Sequence, residues 1–554
     1  LEDRINHFVN DHDEMVREAL DAIVASSGGA LARLDGYPDV KVVLRADWPA
    51  DRVAIVSGGG AGHEPTHAGF VGPGLLTAAV SGEVFASPSV DAVLAAIVAV
   101  TGVSGCLLVV KNYTGDRLNF GLAMERARGL GLQVEMVVVG DDISLPAPVR
   151  PRGLAGTLFV HKIAGAAAEY GEALTVVVER ARRVAEGVRT LGVSLSGASV
   201  PGRASESRIA DGEAELGLGI HGEPGVETIP VGQVREIIDR MAHDLAARLP
   251  AEGRLALLVN NLGGVAALEM GVILHDLLES DLGRRCDFVF GPAAVMTAMD
   301  MRGFSLSALP IDAELVEGLR APVGPLTAWP HARRVGGLVI KPLPAMPAVT
   351  DVAASENAGV SRLIEVICAE LIASEADLNA LDALVGDGDT GSTFATAALR
   401  IRASVPDLAL NSTPDLLGQL SGVLSTSMGG SSGVLGSIFL AAAAAAVRRG
   451  VALADALHDG LESIKNLGGA TAGDRTMIDA LEPAIVAMQA GAAIDVVAAA
   501  AVGGAESTAA MTTAKAGRSA YVAAHHLAGV QDPGATAIAL IFEAVSRDRE
   551  VLSG

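Results

Sequence analysis

The sequence is poor in aromatics, cysteine and lysine. Only 3% of its 554 residues are aromatic, while half are apolar, so its cores are built from Ala, Val, Leu and Ile. The three cysteines, Cys106, Cys286 and Cys368, are far apart and odd in number. With no C-x-x-C they exclude a disulfide framework or a zinc site and fit a reducing cytoplasm. Basic residues number 41 against 65 acidic ones, for a formal charge of -24. That balance excludes a nucleic-acid partner, whose phosphates require Lys and Arg, and an anionic membrane surface. An anionic substrate would need a local device such as a metal or a helix N-terminus. The longest weakly polar run, Ala92–Val110, approaches transmembrane length. Thr101, Gly102, Ser104 and Gly105 interrupt it, so it reads as a helix, a turn and a buried strand, Cys106–Val110. Leu1–Asp11 is mixed polar and lacks a signal-peptide core. Neither a G-x-x-x-x-G-K-[ST] loop nor a kinase-type G-x-G-x-x-G with a downstream H-R-D occurs.

What is present falls into two halves. A linker over Lys341–Asn357 contains Pro342, Pro344 and Pro347, which favour an extended, semi-stiff segment. The expected domains are therefore 1–340 and 358–554, joined by 341–357. In the first half, short β-branched runs alternate with helical stretches. Val53–Val56, Cys106–Val110, Val134–Val139, Leu255–Val259 and Phe288–Phe290 read as buried strands. Asp91–Val100 and Phe120–Leu130 read as helices between them. This alternation predicts an α/β domain of mostly parallel strands in two subdomains, joined by a helical stretch near Gly171–Leu191. A faint internal echo links Gly62-His63-Glu64-Pro65 with His221-Gly222-Glu223-Pro224. After the linker, strands vanish. Ser361–Leu384 has helical apolar spacing, and Leu440–Val447 is nearly all alanine, the best helix former. An all-α bundle with closely packed helices is expected.

The strongest chemical signal is Leu381–Gly391, LDALVGDGDTG. Asp382, Asp387 and Asp389 crowd a helix end and the loop after it, where their repulsion must be offset. A hard divalent cation with oxygen ligands does this. An EF-hand starting at Asp387 fails, because Ser392 and Ala398 stand where Gly and Glu are needed. Met428–Gly436, Gly468–Thr476 and Asp532–Ala535 read as further Gly/Ser/Thr-rich loops suited to phosphate oxygens. Together with the aspartates they argue for a magnesium nucleotide. In the first half, Ser57–Pro65 (SGGGAGHEP) reads as a Gly-rich strand-to-helix turn, where α/β folds bind ligands. Lys111, one of only six lysines, sits at a strand end, and His221 is framed by glycines.

These motifs carry a resemblance. SGGGAGHEP, SGEVFASPS (Ser81–Ser89), KNYTGDRLNF (Lys111–Phe120) and ELGLGIHGEPG resemble the substrate domain of dihydroxyacetone kinases. LDALVGDGDTG, GGSSG, GDRTMID (Gly473–Asp479), GRSAY (Gly517–Tyr521) and DPGA resemble that family's nucleotide domain. Both on one chain resemble the single-chain, ATP-dependent form. The resemblance implies that His221 attacks the carbonyl of a short-chain ketose to form a hemiaminal, which selects ketones and aldehydes over polyols. It implies that Asp116 accepts the proton of the hydroxyl being phosphorylated, with His63 as a further acid/base partner. Lys111 and the backbone at Gly60 would orient the substrate. Asp382, Asp387 and Asp389 would hold two magnesium ions on the ATP phosphates. Thr390, Gly391, Ser392, Thr393, Ser431, Ser432, Gly468, Thr476, Met477, Arg518, Asp532, Pro533 and Gly534 would line the nucleotide pocket. The implied second half is a barrel of antiparallel helices. The implied assembly is a homodimer whose nucleotide domain covers the partner chain's substrate site.

Two further readings follow from the same motifs. One is a kinase for a four-carbon ketose such as D- or L-erythrulose by the same chemistry. The other is a lyase that cyclises flavin dinucleotide through the aspartate half alone.

Overall fold

The computed structural model describes residues 7–146, 148–200, 208–344, 352–427 and 430–548, except for the side chains of 430–432 and 518. The assignments at Ser431, Ser432 and Arg518 fall on side chains outside the described residues, as does linker segment 345–351. The chain divides into two compact units, Leu1–Ile340 and Lys341–Gly554.

The first unit holds two sheets. One comprises β1 (Leu31–Arg33), β2 (Val42–Arg45), β3 (Ala54–Ala61), β4 (Ala78–Val84), β5 (Cys106–Lys111) and β6 (Val134–Val139). Its order is β1-β2-β4-β3-β5-β6. Strands β4, β3, β5 and β6 run parallel, while β1 and β2 add on antiparallel. The other comprises β7 (Arg189–Ser194), β8 (Glu213–Leu216), β9 (Glu227–Pro230), β10 (Arg254–Asn261), β11 (Cys286–Ala293), β12 (Gly303–Ile311) and β13 (Arg333–Arg334). Its order is β13-β11-β10-β12-β7-β8-β9. Here the expectation of mostly parallel strands is wrong: among the described residues only β10 and β11 of this sheet pair parallel. A short apolar run marks a buried strand but not the direction of its neighbour.

Among the described residues eight α-helices serve these sheets: α1 (Met15–Ala25), α2 (Val90–Val100), α3 (Thr114–Gly129), α4 (Thr157–Glu169), α5 (Leu174–Gly187), α6 (Val234–Ala246), α7 (Ala267–Glu279) and α8 (Ala313–Arg320). The joining stretch near Gly171–Leu191 is helix only as far as Gly187, because β7 begins at Arg189. Helix α4 is buried along its whole length from Thr157 to Ala168. Its Phe159 packs edge-on against Phe290 of β11, at 5.6 Å between ring centroids.

The Gly-rich segment departs most from expectation. Ser57–Ala61 is not a turn but the second half of strand β3, fully buried. Glycine here admits close neighbours. A Cβ at Gly58 would lie 2.2 Å from the Val80 carbonyl oxygen and 3.1 Å from Phe120 Cζ. Gly58→Ala should therefore destabilise this unit by about 1–3 kcal/mol or more. Trp48 and Trp329, the only tryptophans, both lie in the first unit. Urea unfolding followed by their fluorescence should show a lower midpoint; an unchanged midpoint would refute the crowding.

The second unit is helical: α9 (Ala358–Ala373), α10 (Glu375–Asp382), α11 (Thr390–Ser404), α12 (Thr413–Ser427), α13 (Gly430–Arg448), α14 (Leu453–Gly468), α15 (Ile478–Gln489), α16 (Ile494–Ser507), α17 (Ala524–Leu527) and α18 (Pro533–Arg547). The expected run Ser361–Leu384 is two helices, broken at Ser374. The expected loop Met428–Gly436 is helix from Gly430 onward. Neighbouring helices touch in the order α9, α11, α12, α13, α14, α15, α16, α18 and back to α9, a closed barrel. Small residues bring the backbones close: a Cβ at Gly504 of α16 would lie 2.1 Å from the Asp479 carbonyl oxygen of α15.

Candidate active site

In the first sheet the chain leaves β3 toward β4 on one side and crosses to β5 on the other. Ligands bind α/β sheets at such a switch point, at the carboxyl ends of the strands. His63 follows β3 there, and Lys111 ends β5. Asp116 lies in the first turn of α3, where the helix dipole favours a carboxylate.

The second sheet supplies His221, from the loop after β8. Its ring lies 4.8 Å from that of His63, 4.4 Å from Tyr113 and 5.7 Å from Phe85, all edge-on. Glu223 holds it: one carboxylate oxygen accepts the His221 backbone N–H at 2.9 Å, and the other lies 3.4 Å from Nδ1. Burial would raise the Glu223 pKa, but the hydrogen bond and charge of His221 bring it down to about 2. With Nδ1 facing a carboxylate, the lone pair is on Nε2. The loop itself is pinned by Arg152, which donates to Asp142 and to the Gly217 carbonyl, both at 2.7 Å.

His63 is fully buried, and Nδ1 donates to the Thr297 carbonyl at 2.8 Å. Its Nε2 then carries a lone pair, and this atom has no partner among the described residues. Burial, reinforced by Lys111 and His221, keeps the ring pKa well below the usual histidine range. His63 is thus a neutral acceptor. Burial also lowers the Lys111 pKa, against the pull of the charges on Asp116, Glu64, Glu223 and Asp141. Asp116 is buried and accepts a short hydrogen bond from the Ser87 hydroxyl. At Gly60 a Cβ would stand 2.7 Å from the Ala86 amide nitrogen, so only glycine leaves that backbone open.

His221, His63, Lys111 and Asp116 are therefore brought together, with Gly60 next to the last residue of β3. Sequence reasoning gave no role to Glu223, Tyr113, Phe85 or Ser87. The one signal for Glu223 was the echo between the two turns. Glu64 accepts the N–H of Gly62 at 2.8 Å just as Glu223 accepts that of His221.

In the second unit, one carboxylate oxygen from each of Asp382, Asp387 and Asp389 lies within 4.8 Å of the others. That donor set fits a hard divalent cation. The buried Asp382 closes α10, and its Oδ2 accepts the N–H groups of Asp389 and Thr390 at 3.0 and 3.1 Å. The cluster thus gains support from the N-terminus of α11, which offsets the unfavourable end of α10. Gly391 lets the two helices meet, since a Cβ would lie 2.0 Å from the Glu375 carbonyl oxygen. Ser392 is tied to Asn379 and donates to Glu375 at 2.8 Å, and the Thr393 N–H caps onto the Asp389 carbonyl.

Several loops join at the same end of the barrel. Ser519 reaches the Val385 carbonyl. Arg475, buried beside Asp532, donates to the Val530 carbonyl at 2.9 Å, while its Nε and Nη1 have no partner among the described residues. Thr476 donates its N–H to Asp479, and Met477 lies against Gly534. Pro533 starts α18, which Asp532 caps by accepting the Ala535 N–H at 2.8 Å. Burial pushes that carboxyl up to about 6. Gly468 is the last residue of α14, not a loop residue.

A Dak1 domain matches residues 25–326 and a DAK2 domain residues 384–547. The chain belongs to the dihydroxyacetone kinase family. It is 47% identical to a dihydroxyacetone kinase of Citrobacter freundii, over 97% of this chain and 98% of that one. A putative 3,4-dihydroxy-2-butanone kinase of Solanum lycopersicum is 41% identical, over 97% of each. The crystal structure of the C. freundii kinase in complex with AMP-PNP and Mg2+ aligns with a TM-score of 0.75, covering 98% of this chain and 99% of that one. Among the described residues no helix is long and apolar enough to cross a membrane.

Proposed function

We propose that the protein is an ATP-dependent kinase for a terminal hydroxyl of a short-chain ketose of the dihydroxyacetone or glyceraldehyde type. The observation that carries this reading is the Glu223 carboxylate at His221 Nδ1. It leaves Nε2 as the nucleophile for a carbonyl carbon, beside two groups able to take a proton. The Nε2 lone pair forms a C–N bond as the carbonyl π pair moves onto oxygen, which takes up a proton from water. The positive charge the ring acquires is held against Glu223, and the edges of Tyr113 and Phe85 confine the adduct. Asp116 accepts the proton of the terminal hydroxyl, whose oxygen attacks the terminal phosphorus of ATP as the bond to the bridging oxygen breaks and ADP leaves. His63 offers Nε2 to a substrate hydroxyl, while Lys111 and the backbone at Gly60 orient the ketose.

Asp382, Asp387 and Asp389 would hold two magnesium ions, which when bound neutralise phosphate charge. Thr390–Thr393, Gly468, Thr476, Met477 and Asp532–Gly534, with Ser431, Ser432 and Arg518, would line the nucleotide pocket. A cytoplasmic homodimer, with the nucleotide domain serving the partner chain's substrate, completes the reading; sedimentation at working concentration tests the dimer.

A magnesium-ATP assay with dihydroxyacetone, glyceraldehyde, D- and L-erythrulose and glycerol tests the activity. Trioses should be phosphorylated, glycerol barely, and EDTA should abolish turnover. Preference for an erythrulose would move the substrate to four carbons and keep the mechanism. Phosphorylation of no ketose would refute the kinase reading.

A further inference from the structure

The carboxylate that serves as the base has a single tether. Asp116 is only 3% exposed, and an ionised carboxylate offers about four acceptor sites. Among the described residues one donor meets it: the Ser87 hydroxyl, at Oδ1. Lys111 acts on Asp116 through its charge, since its amine has no hydrogen-bond partner among the described residues. Oδ2 is thereby left without a donor.

Ser87 itself is firmly placed. Its loop leads from β4 to α2 and is tied on either side of the serine. The Phe85 N–H donates to the Ala61 carbonyl of β3 at 2.9 Å. Asn119 of α3 donates to the Pro88 carbonyl at 2.8 Å, and Ser89 caps α2 by accepting the Ala92 N–H. Phe85 stands at a φ of 57°, a strained conformation for a bulky residue, which persists only where the surroundings impose it. Gly115, the neighbour of Asp116 in α3, leaves room for the hydroxyl: a Cβ there would lie 2.6 Å from Ser87 Oγ.

We propose that Ser87 is a positioning residue for Asp116: its hydroxyl holds Oδ1 and so fixes the turn of the carboxylate, leaving Oδ2 as the oxygen that takes the substrate proton. This rests on the ketose-kinase reading, in which Asp116 is the base. Proton transfer needs the acceptor within hydrogen-bond reach of the reacting hydroxyl, and a carboxylate free to turn spends much of its time out of line. Ser87 keeps its own hydrogen throughout. The proton of the terminal hydroxyl passes to Oδ2 as that oxygen attacks phosphorus.

Steady-state kinetics of the full chain with dihydroxyacetone test it. Ser87→Ala should lower kcat by about 10–100-fold, what a hydrogen bond to a charged group is worth, with little change in KM for ketose or for magnesium-ATP. Ser87→Thr, which restores a hydroxyl, should recover part of the loss. Gly115→Ala approaches the same contact from α3. Alanine is the better helix former, so the helix should stand, while the new methyl turns the hydroxyl off Asp116 and kcat falls as in Ser87→Ala. In an Asp116→Asn background, Ser87→Ala should cost little more, because the serine acts through the carboxylate. A role in packing alone would lower kcat equally in both backgrounds, and that result overturns the proposal. So does an unchanged kcat in Ser87→Ala when the wild-type chain is active. A wild-type chain that phosphorylates no ketose sinks the kinase reading, and this inference with it.

Discussion

Asp116→Asn should lower kcat by about 10²–10⁴-fold, the usual contribution of a positioned general base, with little change in the KM for ketose. Asparagine keeps the size of the side chain and an oxygen for the Ser87 hydroxyl, so the first turn of α3 should stand. It cannot take a proton. Steady-state kinetics at saturating magnesium-ATP separate the two constants. A loss confined to KM would make Asp116 a binding group. A fall below tenfold would move the base elsewhere, with His63 Nε2 the next candidate.

His221→Ala should lower kcat/KM for dihydroxyacetone by about 10³-fold or more, because the variant loses the orientation that a covalent link provides. Glycerol has no carbonyl to add to, so its slow reaction should not fall in proportion. The diagnostic quantity is the ratio of the two substrates: it should collapse in the variant. An unchanged ratio would mean that His221 contributes to turnover without choosing the substrate. His221→Gln is a useful companion, since it fills much of the space between Tyr113 and Phe85 without supplying a nucleophile.

Much of this site was legible before any coordinates. Strand β6 begins and ends where the run Val134–Val139 places it. Lys111 was expected just past a buried strand, and the three aspartates around a helix end, because charges in such places need a reason; Asp116 came from the family resemblance. Other features left no mark in the sequence. Glycine is a poor strand former, so β3 reads as stopping at Val56 although close packing against Val80 carries it to Ala61. The antiparallel second sheet is hidden because its central strands, β7, β10 and β12, are buried and lack alternation. Ser57, His67 and His161 meet only because α4 passes beside β3. Glu223 stood in a quoted motif, but its hold on His221 depends on a turn geometry that spacing alone does not state.

Helix α4 also constrains how the chain can vary in length. A helix turns by about 100° per residue, and this one has no solvent-facing side to absorb a shift. One residue inserted at its start would rotate His161 away from Ser57 and Lys162 away from the Gly318 carbonyl in the same step. It would also drive Phe159 off Phe290. Insertions are absorbed far more cheaply in surface connections, such as the short stretch between α5 and β7 is not, but the exposed turn Ala251–Gly253 before β10 is. Among homologous chains, gaps should therefore gather at such turns and leave the span of α4 at constant length.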